Sequence, residues 1–147
     1  MIRTMTIDDY EMVHMLWMKM KGFAMRSIDD SKEGVKRFLV RNPYTSVVAV
    51  EDGMVVGTIL CGHDGRRGCL YHVCVDPAYR LQGIGKAMVI YAMEALKKEQ
   101  ISKVSLIAFT ENDIGNVFWK DIGWTRREDL NYYEFVLNPQ NMERFNK

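Results

Sequence analysis

The sequence predicts an α+β fold, a mixed α/β sandwich in which helices cover a central, mostly antiparallel twisted sheet. Three observations predict it. β-Branched runs joined by tight-turn residues fill the middle of the chain. Helical periodicity of apolar residues appears before and after them. No internal repeat, low-complexity stretch or linker divides the 147 residues, so a single domain, 1–147, is expected. A hydrophobic content of 48% supplies enough side chains for a real core.

Ile2 to Met5 reads as a first strand. Thr6 is a helix N-cap, with Asp8 and Asp9 in the first turn, where carboxylates favour the exposed amides. Tyr10, Val13, His14 and Trp17 recur at helical spacing, which predicts an amphipathic helix over 7–20. Residues 22–28 read as a loop carrying Arg26. Asp30 or Ser31 caps a second helix that buries Val35, Phe38 and Leu39 and ends at Asn42-Pro43. Ser46–Glu51 and Met54–Cys61 are strands joined by Asp52-Gly53, a strong hairpin signal. A wider polar turn over 62–68 leads to a strand over 69–75, stopped by Asp76-Pro77. A third helix is predicted over 84–99, a strand over 104–109 and a short helix over 113–121, with Gly123 in the left-handed position after it. Trp124–Glu128 and Tyr132–Leu137 read as two final strands, and 138–147 as a polar, weakly ordered tail.

Composition excludes several classes. The net charge of +1 carries no basic excess for nucleic acid, so no nucleic-acid partner is expected. No apolar run approaches the ~20 residues of a membrane span, and Asp8, Asp9 and Glu11 interrupt any signal-peptide pattern. Three cysteines, an odd number in apolar surroundings, read as buried reduced thiols and favour a cytoplasmic location. No metal is expected, and none of the residues is assigned to one.

The segment Arg80-Leu81-Gln82-Gly83-Ile84-Gly85-Lys86 lies between a strand and a helix. The first turn of a helix carries amides without intrahelical partners at the positive end of the dipole. Glycines at 83 and 85 let backbone close around a phosphate, which predicts an anion cradle. A P-loop is excluded, since its glycines stand further apart and precede Lys-Ser/Thr. A dinucleotide fingerprint is excluded too: Met88 occupies the third glycine position, and no acidic residue ends the next strand.

The stretch from Val73 to Met88 resembles the acyl-CoA motif of the GNAT superfamily of N-acetyltransferases, through Arg80, Gly83 and Gly85. Asn112 to Trp124 is similar to the second family block, with Asn112 opening a helix, an aromatic at Trp119 and the pair Gly123-Trp124. The predicted element order also resembles the family fold, nearest to small stand-alone bacterial members. The resemblance implies transfer of an acetyl group from acetyl-CoA to a primary amine, by direct attack through a tetrahedral intermediate. It also implies a set of roles. Amides of Gln82, Gly83, Ile84, Gly85 and Lys86 would hold the CoA diphosphate, with charge from Arg80 and Lys86, the latter either a ligand or a solvated side chain. Main-chain groups of Val73 and Val75 would pair with the pantetheine arm, and the Val75 amide would face the acetyl carbonyl as an oxyanion donor. Asn112 would contact the arm, cap the helix, or both.

The family's usual acid, a tyrosine in the second block, is replaced here by Trp119, which has no acidic proton. Tyr132 and Tyr133 are the late hydroxyls available for that role or for sheet packing. Strict alternation puts Cys69, Tyr71, Val73 and Val75 on one face of their strand, with Leu70, His72 and Cys74 on the other. Tyr71 is therefore the first candidate to order a proton-carrying water, and His72 is expected to face a helix layer. Cys74 lacks a neighbouring base for covalent catalysis. Arg26, Ser27, His63, Asp64, Arg66 and Arg67 are expected on loops beside the acceptor, Arg26 as a carboxylate ligand or a surface charge. The acceptor is a small-molecule amine or a peptide N-terminus, and a homodimer is possible for such a chain. The alternative reading is a non-catalytic acetyl-CoA-binding regulatory or interaction module, which Trp119 keeps open.

Overall fold

A computed structural model describes residues 1–147. Its main sheet has five strands in the order β1-β3-β4-β5-β6: β1 is Ile2–Thr4, β3 Val47–Glu51, β4 Met54–His63, β5 Gly68–Val75 and β6 Val104–Leu106. The first four pair antiparallel, whereas β5 and β6 run parallel. Helices α1 (Tyr10–Lys19) and α2 (Lys32–Arg41) cover one face, and α3 (Ile84–Lys98) and α4 (Asp113–Asp121) the other.

Alternation along the strands builds the two cores. Val48, Val55 and Leu60 point to α1 and α2, where Val13, Leu16, Trp17, Val35 and Leu39 are buried. Val47, Ala49, Ile59 and Cys61 point to α3 and its Met88, Val89, Ala92 and Leu96. The Asp52-Gly53 hairpin forms as predicted, both residues taking positive φ of 50° and 75°. Asp9 joins the start of α1 to the sheet. Its carboxylate accepts the Thr6 amide at 2.9 Å and two guanidinium bonds from Arg3 on β1, at 2.7 and 2.9 Å. Ser31, rather than Asp30, caps α2, accepting the Gly34 amide at 3.1 Å.

Two expectations are corrected at the ends of the sequence. The predicted loop at 22–28 contains β2 (Phe23–Arg26), and the predicted weakly ordered tail contains β7 (Glu143–Asn146). They pair antiparallel, Phe23 opposite Asn146 and Arg26 opposite Glu143. Polar side chains hold the tail down. The Asn146 amide donates to the Trp17 and Met20 carbonyls at 2.9 and 3.0 Å, satisfying the C-terminal end of α1. Arg26 pairs with Glu143 at 3.0 Å and donates to the Asn141 carbonyl at 3.1 Å, so its charge is engaged by the tail. The predicted strands 124–128 and 132–137, by contrast, do not form. Residues 125–137 make no backbone–backbone hydrogen bond, and Tyr133, Phe135 and Leu137 are exposed. Alternation of apolar residues marks a strand only where a partner edge meets it.

The feature that shapes the centre of the sheet is a bulge in β5. Leu60 pairs with Tyr71 and Thr58 with Cys74, so Ile59 stands opposite both His72 and Val73. His72 takes φ of +49°, a left-handed conformation that costs a non-glycine residue about 1–2 kcal/mol. Thr58 holds it there. Its hydroxyl donates to the His72 carbonyl and accepts from the indole of fully buried Trp17, both at 2.9 Å. Thr58→Val, close in shape, leaves both groups without a partner. It is expected to lower stability by about 2–6 kcal/mol at one to three per orphaned group, read as a fall in the urea midpoint with an unchanged slope.

Candidate functional site

Strands β5 and β6 pair only from Gly68–Val104 to Leu70–Leu106. Beyond Leu106 the neighbour leaves the sheet, while β5 runs on to Val75, so a wedge opens beside residues 71–75. The Asp76 amide donates to the Val56 carbonyl of β4 at 2.7 Å. Successive amides alternate in direction, so the Val75 amide points away from β4, into the wedge. The Val75 carbonyl accepts Nε of Arg80 at 3.3 Å.

The bulge also reassigns the faces of β5. Tyr71 meets Phe38 of α2 edge-on at 6.0 Å, His72 lies against Trp17 and Phe23, and Cys74 is in the α1–α2 core. Leu70, Val73 and Val75 face α3 instead. The expected set Cys69, Tyr71, Val73 and Val75 is thus divided, because one inserted residue reverses the alternation after it. The placement of His72 toward a helix layer stands.

Below the wedge, a short turn at Pro77–Tyr79 leads to the N-terminus of α3. Gly83 is its N-cap, at φ +80°, with open space where a side chain would begin. No group of the protein accepts the amides of residues 81–86. The first amide bond of the helix is from Ala87 to the Gly83 carbonyl at 3.0 Å. Gln82, Gly83 and Lys86 are exposed and Ile84 and Gly85 half-buried, so the amides form an open cradle with no side chain capping it. That is the donor set a diphosphate requires. Lys86 has no ion-pair partner among the carboxylates.

Helix α4 closes the other side. A side chain on Gly85 would begin 3.3 Å from the Phe118 ring, so the start of α3 lies against the middle of α4. Asn112 caps α4, its Oδ1 accepting the Gly115 amide at 3.0 Å. Trp119 packs between Phe118 and Trp124 at centroid distances of 5.0 and 4.8 Å, in the α3-side core. In front of α4 lies a cleft of about 780 Å³ lined by Lys21, Gly22, Phe109, Glu111, Asp113 and Phe145, among others. Phe145 of β7 meets Phe109 edge-on at 5.5 Å, so the tail strand forms one wall.

The titratable groups at the bulge are biased toward their neutral forms. Partial burial of its half-exposed side chain, then a hydrogen bond with Cys69, pushes the Tyr71 phenol above its ordinary range. Burial pushes the Cys74 thiol up to about 11, which leaves no thiolate for acyl transfer. Tyr133 is exposed and lies on the unpaired segment 125–137. Tyr132, whose hydroxyl donates to Glu134 at 3.1 Å, is the late tyrosine within electrostatic reach of Tyr71. His63, Asp64, Arg66 and Arg67 lie at the β4–β5 turn, where β5 and β6 are still paired, at the end of the sheet opposite the wedge. Phe145 is not legible as a wall of the cleft in the sequence, since its placement depends on the β2–β7 pairing.

Comparison with known proteins agrees with this architecture. The acetyltransferase (GNAT) family model matches residues 10–124. An acetyltransferase of Sodalis glossinidius (strain morsitans) is 34% identical over 112 residues, 76% of this chain and 78% of its own length. Among solved structures, an aminoglycoside acetyltransferase from an uncultured soil metagenomic sample superposes with a TM-score of 0.71 at 21% identity, covering 94% of this chain and 96% of that one. The NatC complex bound to Gag peptide and CoA gives a TM-score of 0.71 at 20% identity, covering 87% and 86%. A wedge beside a bulged strand and a free helix N-terminus define an acyl-CoA-dependent acyltransferase fold. The chain belongs to the GNAT family of acetyltransferases.

Gly83→Asp adds an anion where no atom obstructs it. It is expected to weaken coenzyme A binding about tenfold or more, since a like charge near 4 Å costs on the order of 1–4 kcal/mol. Titration calorimetry on the folded variant reads this, and unchanged affinity would remove the diphosphate from this loop.

Proposed function

We propose that the protein transfers the acetyl group of acetyl-CoA to a primary amine by direct attack on the thioester. The observation that carries this reading is the juxtaposition of the β5–β6 wedge with the unpartnered amides at the start of α3. In this reading the amides of Gln82 to Lys86 bind the diphosphate, with Lys86 and Arg80 adding charge. Val73 and Val75 present main-chain groups to the pantetheine arm, and Asn112 contacts it from the α4 side. Trp119 backs the thioester end of the site. The Val75 amide donates to the carbonyl oxygen as it gains charge in the tetrahedral intermediate. Tyr71, held protonated, orders a water at the reacting centre. A late tyrosine, Tyr133 or Tyr132, returns a proton to the departing thiolate when segment 125–137 lies over the wedge.

The acceptor in this reading is a cationic small amine or a peptide N-terminus. Glu111 and Asp113 at the cleft favour a positive charge, and the structural relatives include an aminoglycoside acetyltransferase and a peptide-bound complex. A cytoplasmic location is consistent with Cys61, Cys69 and Cys74 all being free thiols. A homodimer is supported by the open edge of β6 and by the unpaired apolar segment around Tyr133, Phe135 and Leu137.

A thiol-release screen over amino acids, polyamines, aminoglycosides and peptide N-termini tests the activity. Release with at least one class is expected; tight acetyl-CoA binding with no release on any class would indicate a binding module instead. Tyr71→Phe, Tyr132→Phe and Tyr133→Phe test the hydroxyls. At least one is expected to lower turnover by 10²-fold or so, in the range of acid–base groups, and losses under about threefold in all three would remove them from the mechanism.

A further inference from the structure

We propose that His72, oriented by Asp30, is the base that takes the proton from the acceptor amine, an inference that rests on the acetyltransferase reading above. His72 Nε2 lies 2.7 Å from Asp30 Oδ1. Asp30 is itself buried, and its other carboxylate oxygen accepts the Arg26 amide at 2.6 Å. Tyr10 of α1 donates to the Asp30 carbonyl at 2.7 Å, fixing the backbone that carries the carboxylate. An imidazole facing a carboxylate through Nε2 carries its proton there, which leaves the Nδ1 lone pair free. Nδ1 makes no hydrogen bond within the protein, and it is not among fully buried atoms that lack a partner, so it keeps some accessible surface although the side chain is only 18% exposed. The ring is clamped between Trp17 and Phe23, at 4.7 and 4.5 Å between centroids, and Phe23 follows Gly22 of the acceptor cleft.

The backbone points the same way. His72 is the bulge residue beside Val73, at the wedge, and it holds a left-handed φ that a glycine or asparagine would adopt with less strain. Such strain persists where surrounding contacts enforce it, here the Thr58 hydroxyl on the carbonyl and Asp30 on the ring. The other groups at the bulge cannot serve as bases, since the Tyr71 phenol and Cys74 thiol stay protonated.

The step balances as follows. His72 Nδ1 takes one proton from the acceptor ammonium, and the freed nitrogen lone pair forms the N–C bond while the carbonyl electrons move onto oxygen. Collapse re-forms the carbonyl and breaks the C–S bond. A second nitrogen proton ends on the coenzyme A thiol, and the imidazolium passes its proton to solvent. Asp30 touches no substrate and is a positioning residue.

His72→Asn and His72→Gly both suit the left-handed backbone, so both are expected to fold. Each should lower kcat about 10²-fold or more with acetyl-CoA affinity unchanged, and added imidazole should restore part of the loss in His72→Gly. Histidine ¹⁵N NMR should show the neutral ring of His72 protonated at Nε2, a preference that Asp30→Asn weakens while lowering kcat without raising KM. Turnover of the folded variants within about threefold of the wild type, or a neutral ring protonated at Nδ1, overturns the assignment while leaving acetyl transfer intact. A wild-type protein that acetylates no amine overturns the functional reading, and this one with it.

Discussion

One threonine hydroxyl in the sheet organises much of what surrounds it. Thr58 receives the Trp17 indole proton and gives its own to the His72 carbonyl, tying α1 to β4 and β4 to the bulge of β5. Trp17 and Thr58 are fully buried, where an unpartnered donor or acceptor is costly. The bulge therefore has a fixed place, and its place decides the rest. After it, Val73 and Val75 turn toward α3, His72 and Cys74 toward α1, and the Val75 amide toward the wedge.

The second constraint is the early end of the β5–β6 ladder. A parallel pair of three residues leaves most of β5 without a neighbour on that side. Unsatisfied main-chain donors and acceptors along such an edge are normally a hazard. Here the free edge ends at Val75, close to the start of α3, where Gly85 lies against Val75 and the Phe118 ring. In the proposed function, an extended ligand ending in a diphosphate would pair with this edge and reach the free amides of α3.

The cleft in front of α4 is built from parts distant in sequence. The C-terminal strand pairs with Phe23–Arg26 and uses Asn146 to complete the end of α1. A tail whose polar composition reads as solvated is instead spent on capping orphaned carbonyls and on the Arg26–Glu143 pair. Local composition gives no indication of this, because the partners lie more than a hundred residues away. The same pairing carries Phe145 to the mouth of the cleft and leaves Phe23 over His72.

By itself the sequence determined what depends on short-range chemistry. The helix caps at Thr6 and Asn112, a cap for α2 at Asp30 or Ser31, the Asp52-Gly53 hairpin and the glycine-bearing start of α3 follow from residue types at fixed local spacing, and so does the identity of the family. Tertiary structure alone decided which way the side chains of β5 face, that Asp30 meets His72 across 42 positions, and that the last residues form a strand while 132–137 do not. Those outcomes turn on pairing register and on partners distant along the chain. A single extra residue in a ladder reverses every side chain beyond it, and nothing in the composition of the strand records that insertion.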